Sequence, residues 1–418
     1  MYDKISTEKP MVMHIDLNSA FATTEQQAHP GLRGRPVGVT NRMSKECCIL
    51  AASYEAKALG VKTGMRRTDA LALCPDLIIL ETDAPKYHKV YEKLIRIMQD
   101  YSPNTKMKSI DEGLIDFHGM EPVLKGRSLE DIGFEIKQRV KEDIGDWMRI
   151  NVGIGPNRFL AKQAAGWHKP DGLDVLDHRN LRDYYAQIEL MDISGIAERN
   201  AARLQSYGIM TPLQFLDADE YLLKKRVFHS ITGTYWYRRL RGYEIDDQDT
   251  KLGMVGRQWV VKSPSSRDEY LLPCLSFLCE TTGRKLRHRA VEARGICVWA
   301  QFRNGESWKG KRMYKSTFYT NQEVYRRALE QFQSRPKGLD VTMIGIYCYM
   351  LTPSSQSQPS MFDEVEKEGW LTTAVDEIND FYGMFTVHSA QALEGKRLIK
   401  QKIPFGGTEY FELLLKRG

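Results

Sequence analysis

No pair among the seven cysteines of this 418-residue chain has the C-x-x-C spacing of a zinc site or redox motif; the nearest pairs are Cys47/Cys48 and Cys274/Cys279. The count is odd as well, and the cysteines read as reduced thiols of a cytosolic protein, mostly filling cores. No segment approaches about 18 uninterrupted apolar residues. The opening MYDKISTEKP also has no apolar h-region, so neither membrane insertion nor export is expected. A strong excess of one charge is missing too: 60 Lys and Arg against 54 Asp and Glu leave +6, too little by itself to name a partner. Nor is there an internal repeat at a fixed period. What remains is 42% hydrophobic and 27% charged residues, which excludes wholesale disorder, collagen and coiled coil. The length suggests two to four domains, each large enough for its own core.

The distribution of charge says more than its sum. Residues 281–340 hold fourteen basic against five acidic residues, whereas 353–418 hold ten acidic against seven basic. A basic module followed by an acidic tail points to a localised polyanion site. MVMHIDL at 11–17 reads as a buried strand delivering Asp16 to its C-terminal end. Val90, Leu94, Ile97 and Met98 recur at helical spacing within 87–101, and Ser102-Pro103 stops that helix. MKSIDEGLIDF at 107–117 alternates around Gly113 and predicts two short antiparallel strands with a tight turn there. A helix over 129–143 and a strand over 149–154 complete an α+β layer. From 180 to 245 short helices are expected without strands, and Glu244–Lys251 separates them from a second mixed region. There, helices are expected over 267–290 and 321–334, and strands over 295–303 and 341–351. PSSQSQPS at 353–360 has the composition of a flexible linker.

Asp16 at a strand end and Asp111-Glu112 beside a turn are the central chemical signal. Neighbours in a flat strand point to opposite faces, so Asp111 and Glu112 converge only if the turn twists one of them. Three carboxylates meeting at one point repel and raise each other's pKa unless a cation neutralises them. An oxygen-only donor set favours Mg²⁺ or Mn²⁺ over zinc. On these residues alone the plainer reading is the stronger one: Asp16 caps a helix beginning near Ser19, and Asp111-Glu112 are turn residues.

Six collinear stretches shift that balance: HIDLNSAFATTE (14–25), HPGLRGRPVGV (29–39), AASYEAKALGVKTGM (51–65), SIDEGLIDF (109–117), NVGIGPNRFLAKQAA (151–165) and HKPDGL (168–173). In order and spacing the chain resembles the Y-family translesion DNA polymerases of the DNA polymerase IV (DinB/UmuC-like) type, closely over 11–245, more loosely over 255–350 and weakly beyond 353. The resemblance implies an α+β multidomain fold, a right-hand polymerase with ferredoxin-like palm, small fingers, helical thumb and α/β little finger. It implies a palm from 11–19 and 85–176, fingers from 20–84, a helix-hairpin-helix thumb from 177–245, a linker at 246–254, a little finger from 255–352 and a tail from 353–418.

By the same resemblance the catalytic and metal-binding carboxylates fall on Asp16, Asp111 and Glu112, with the Leu17 carbonyl as a further ligand for two Mg²⁺ ions, Mn²⁺ being the substitute. Phe21 matches the aromatic steric gate against a ribose 2′-OH; on residues alone it is a core phenylalanine. Tyr54, Lys57 and Lys169 match the grip on the incoming triphosphate. Position 57 is commonly arginine in the family, and a lysine there loses the bidentate fork. Ala51 and Ala52 would lie by the templating base. LMDISGIAERNAARLQSY at 190–207 resembles the thumb hairpin, with Gly195 and Ala197 at the DNA phosphate, although Ala197 stands where a second glycine is usual. Gln358, Met361 and Phe362 resemble a sliding-clamp peptide. The implied partners are primer-template DNA, dNTPs and the clamp, for a monomer in the bacterial cytoplasm at the nucleoid. Two other classes compete: a non-catalytic DNA-binding relative acting in DNA repair, in which eroded carboxylates are expected, and a palm-type cyclase, which has no need of a thumb or basic module.

Overall fold

The computed structural model describes residues 4–44, 47–247, 251–356, 363–383 and 385–399. They fall into two compact units that part at residues 248/249. The first unit carries eight strands: β1 (Val12–Leu17), β2 (Val37–Thr40), β3 (Ile49–Ala52), β4 (Ile78–Glu81), β5 (Thr105–Met107), β6 (Glu112–Asp116), β7 (Ile150–Gly155) and β8 (Leu173–Val175). Five of them form a sheet in the order β5-β6-β1-β7-β8, with β1 central and antiparallel to both neighbours. The period of two along β1 divides its roles. Met13, Ile15 and Leu17 face a core shared with Tyr91, Leu94 and Met98 of the helix Ala84–Gln99 and with Ile132 and Ile136 of the helix Leu129–Arg139. Val12, His14 and Asp16 alternate onto the opposite face, under the helix Arg158–Trp167.

That helix lies directly on β7 because Gly153 and Gly155, two apart on one face, present no side chain. A Cβ at Gly153 would stand 2.1 Å from both the Ala161 carbonyl and the Ala165 N–H nitrogen. Backbone cannot yield as a side-chain tip can, so Gly153→Ala is expected to lift the helix and cost about 3 kcal/mol. A fall in the urea midpoint would report it; a midpoint equal to that of the unaltered protein would refute the close packing.

The expected hairpin forms, but its turn is not at Gly113. Residues 108–111 make the turn, where the Lys108 and Ser109 N–H groups both donate to the Glu112 carbonyl. Gly113 lies inside β6, paired with Ile15 and Met107, and the Met98 and Met107 side-chain ends fill the space a Cβ would occupy. Glycine is there for close packing, and Asp111 rather than Gly113 ends the turn.

The short strands β2, β3 and β4, in the order β3-β2-β4, were not legible in the sequence. Residues 181–240 form the expected short helices, around a core that includes Tyr185, Phe215 and Trp236. All seven cysteines are free, six of them buried. Among the described residues no helix is long and apolar enough to cross a membrane.

The second unit is a four-stranded antiparallel sheet of β9 (Met254–Ser265), β10 (Val291–Phe302), β11 (Ser307–Phe318) and β12 (Val341–Pro353), in the order β11-β10-β12-β9. The helices Asp268–His288 and Asn321–Phe332 cover one face, as expected from their periodicity. The two strands missing from the sequence reading, β9 and β11, are the edges. β11 is dense in lysine and arginine and β9 contains Pro264, both tolerated where one side of the strand is free. Residues read only as an acidic tail form the helices Asp363–Tyr382 and Leu393–Leu398 on this same unit, where Phe385 stacks on Phe277 with centroids 4.6 Å apart.

Candidate active site

Strand register brings the three predicted carboxylates together. Asp16, one residue before the end of β1, pairs directly with Glu112, the first of β6, and the Leu17 N–H donates to the Asp111 carbonyl at 2.8 Å. The turn is fixed by Ser109, whose hydroxyl accepts from the Asp111 and Glu112 N–H groups at 3.3 and 3.1 Å and donates to the Asp111 carboxylate. This is the twist that lets neighbouring residues serve one site.

The charges are not left facing one another. Lys162, from the helix that Gly153 admits, grips both Glu112 oxygens at 3.0 and 2.7 Å, and His14 Nε2 lies 3.2 Å from Glu112 Oε2. Led by the His14 hydrogen bond and helped by Lys162, these contacts hold the Glu112 carboxyl down to about 2 against the opposing effect of burial. Lys169 pairs with Asp16. Asp111, paired with no ammonium among the described residues, is pushed up by burial, with Ser109 opposing and the Asp16 and Glu112 charges adding to it. Among the described residues no three acidic, histidine or cysteine side chains form a preassembled metal cage. The sequence reading had the repulsion relieved by a metal ion; here Lys162 and Lys169 supply the positive charge. An all-oxygen donor set that already draws two ammonium groups fits a divalent cation.

The Lys169 loop is seated by two buried asparagines. Asn18 donates to Asn151 at 2.8 Å and accepts from the Asp171 N–H at 2.8 Å, while Asn151 donates to the His168 carbonyl at 3.3 Å. Across the site, Ser53 caps the short helix Tyr54–Ala58 by accepting the Ala56 N–H. Lys57 of that helix donates to Ser19 at 2.8 Å and sits 4.7 Å over the Tyr54 ring. Burial and then the nearby Lys169 charge lower the Lys57 pKa, with Asp16 opposing. Burial followed by the Asp16 charge pushes the Tyr54 phenol up to about 12. Tyr54, Lys57, Lys169 and Asp16 thus share one electrostatic neighbourhood. Phe21, 6% exposed, stacks on Tyr87 at 4.5 Å and 19°. The Tyr87 hydroxyl donates to buried Glu25 at 2.8 Å, which Lys86 also holds at 2.6 Å.

Other predicted positions stand apart. Gly195 takes φ +94° against the Trp236 ring, and Ala197 occupies the N-cap of the helix Glu198–Gln205 with no side-chain cap. Neither is joined to the carboxylate cluster by a contact described above. Gln358, Met361 and Phe362 lie outside the described residues. Sequence reasoning missed Ser109, Lys162, His14, Asn18 and Asn151. The available signals were His14 two residues before Asp16 on one strand face and Lys162 on a helix over a Gly-x-Gly strand.

Solved structures place the fold in a class. A Y-family DNA polymerase chimera aligns with a TM-score of 0.68 at 22% identity, covering 81% of this chain and 98% of its own. DinB from Sulfolobus solfataricus aligns at 0.54 and 23% identity over the same shares. The fold is that of the Y-family DNA polymerases. Residues 15–166 match the impB/mucB/samB family and 255–361 match that family's C-terminal domain. DNA polymerase IV of Moorella thermoacetica is 30% identical over 406 residues, covering 95% of this chain and 98% of the relative. That of Pelotomaculum thermopropionicum is 30% identical over 400 residues, with 94% and 97% covered, and DNA polymerase IV 1 of Bacillus subtilis is 26% identical over 409, with 96% of each. The chain belongs to the DinB-type DNA polymerase IV family, and it is a DNA-directed DNA polymerase of the translesion type.

Proposed function

We propose that the chain extends a primer on a DNA template by adding dNMP opposite damaged and undamaged bases, at the site built on β1 and β6. The observation that carries the reading is the Asp16–Glu112 register pair with Leu17 bonded to Asp111, facing Lys57 and Lys169. Asp16, Asp111, Glu112 and the Leu17 carbonyl are the ligands for two Mg²⁺ ions, with Mn²⁺ as substitute. Ions held there would supply the positive charge that lowers the pKa of the primer 3′-OH and offsets the negative charge of the triphosphate and departing pyrophosphate. Asp16 gives up Lys169 to hold them, whereas Lys162 stays on Glu112 and orients it. Lys169, freed from Asp16, joins Lys57 and the Tyr54 hydroxyl on the triphosphate oxygens. Phe21 lies under the sugar, and small Ala51 and Ala52 leave room by the templating base. Residues 11–19 with 85–176, 20–84, 177–245 and 255–352 act as palm, fingers, thumb and little finger. Gly195 and Ala197 offer backbone N–H groups to a duplex phosphate, and the basic module binds the backbone with salt dependence. Gln358, Met361 and Phe362 are the clamp contact, and the cytoplasm is the site of action.

Running-start primer extension on undamaged and abasic templates, with and without a sliding clamp, tests this. Templated extension that pauses at but passes the abasic site is expected, and divalent-dependent pyrophosphate release without primer-template would overturn it. Lys57→Ala is expected to raise the dNTP KM roughly 10- to 100-fold, the worth of one charge-assisted bond. Lys57→Arg should recover that loss by offering the fork a lysine lacks. Steady-state kinetics with one nucleotide reads both, and an unchanged KM in Lys57→Ala would remove Lys57 from the triphosphate site.

A further inference from the structure

The helix Asp363–Tyr382 is fixed on the second unit by one face. Arg287 forks onto Asp376 at 2.5 and 2.9 Å, Arg284 pairs with Asp380, Thr320 donates to Glu368 at 2.5 Å, and buried Asn379 both donates to and accepts from the Val387 backbone. These contacts set the rotation of the helix and leave its other face outward. That face is apolar. Trp370 is 70% exposed, Leu371 66%, Phe381 78%, Tyr382 72% and Ile378 39%, with exposed Ala374 between them. At 100° per residue the six fall within an arc of roughly 120°, a continuous stripe about three turns long. Single exposed apolar side chains are ordinary on a protein surface, but a stripe of this size marks a contact.

The order of residues along the stripe says what covers it. A two-fold axis pairs each residue with its counterpart read backwards, so the patch must match its own reversal. This one does so about position 376. Trp370 then faces Tyr382 of a second copy, Leu371 faces Phe381, and Ala374 faces Ile378. Aromatic ends meet large apolar partners, and the small alanine lets the helices approach at their centre. Lys367, exposed beyond Trp370, falls past Tyr382 of the other copy, at the negative end of that helix's dipole. The three aromatics alone contribute about 150 Å² each. With the aliphatic residues this is roughly 600 Å² per copy and about 1,200 Å² in all, above the ~1,000 Å² of a specific interface.

We propose that this helix is a dimerisation element: two copies of the chain pair antiparallel through the Trp370–Tyr382 stripe, in place of the monomer expected from sequence. Register is the sharpest test. In a Cys48→Ser background of the full chain, Leu371→Cys and Phe381→Cys proteins are mixed and mildly oxidised. The mixture should form a covalent dimer and neither protein alone should, because like positions are separated by ten residues, roughly 15 Å along the axis, too far for a disulfide. Sedimentation equilibrium of the unaltered chain should give a dimer at micromolar concentration, with Trp370→Glu/Phe381→Glu weakening it roughly 100-fold or more. Circular dichroism checks that this variant keeps its helices, and the cross-linking pair stands independently of it. A monomeric full chain overturns the proposal, as does equal cross-linking of either single-cysteine protein alone. If deletion of residues 400–418 is what creates a dimer from a monomer, the stripe's occupant is the chain's own C-terminal segment and the proposal likewise fails.

Discussion

Asp111→Asn is expected to reduce templated primer extension by about a thousandfold or more while leaving the protein at least as stable. The catalytic side follows from the charge at the site. Among the described residues, Asp111 is the one carboxylate of the three whose charge no lysine partners, so its charge is the most available to a divalent cation. A metal ligand contributes several kcal/mol of stabilisation to developing charge, and about 4 kcal/mol corresponds to about a thousandfold in rate. The stability side follows from the same geometry. Burial together with the Asp16 and Glu112 charges disfavours the ionised carboxyl at this position, so a neutral amide removes repulsion that folding must otherwise overcome. The amide oxygen still accepts from Ser109, so the turn keeps its fastening. Primer extension and thermal denaturation of one sample read the two outcomes. Substantial retained activity would sink the metal assignment. Lost activity with a collapsed melting temperature would mean that Asp111 serves the fold instead.

Lys162→Ala makes the contrast. It leaves Glu112 with His14 alone, so a smaller loss is expected, about 10- to 100-fold, the range for residues that orient a metal ligand without touching the metal.

The carboxylates were legible through six collinear stretches that resemble a known family; by local signals alone, a strand ending in Asp-Leu-Asn and a turn reading Ile-Asp-Glu-Gly, they read as cap and turn residues. What secures them was not legible, because it depends on register and on helix placement. Nothing local marks Lys162 as lying over Glu112 until the helix is known to rest on bare backbone at Gly153. Nothing local joins Asn18 to Asn151, 133 positions away. The hairpin turn was misplaced for a related reason: a glycine between alternating residues signals a turn by conformation, and here it answers to two methionine side chains packed above it. The same limit applies to β9 and β11. Their interior neighbours β10 and β12 are apolar enough to read, but an edge strand can carry lysine, arginine and proline, so its sequence resembles a loop. The helices of 363–399 escaped because an acidic composition hides that Asp376, Asp380 and Glu368 point inward to arginine and threonine partners while the apolar residues point out.

Phe21→Leu is expected to raise ribonucleotide incorporation roughly 10- to 100-fold while deoxynucleotide incorporation changes by only a few-fold. A ring that could swing aside would discriminate poorly against a 2′-OH, and Phe21 is held. It stacks on Tyr87, whose hydroxyl is fixed by Glu25, itself buried and paired with Lys86. A hydroxyl forced against so fixed a ring costs about 1.4–2.7 kcal/mol, which is the stated range of 10- to 100-fold. Leucine is the useful replacement because Phe→Ala at a site this buried costs about 3–5 kcal/mol of stability and would confuse gating with unfolding. The kinetic signature is specific: kcat/KM for a ribonucleotide should rise, whereas a damaged fold would lower both substrates together. Tyr87→Phe supplies an independent handle, since it keeps the stacking ring but removes the hydroxyl that anchors it to Glu25, and it should relax the same discrimination by a smaller factor. If Phe21→Leu leaves the ribonucleotide-to-deoxynucleotide ratio unchanged, Phe21 is a core residue beneath the site and takes no part in choosing the sugar.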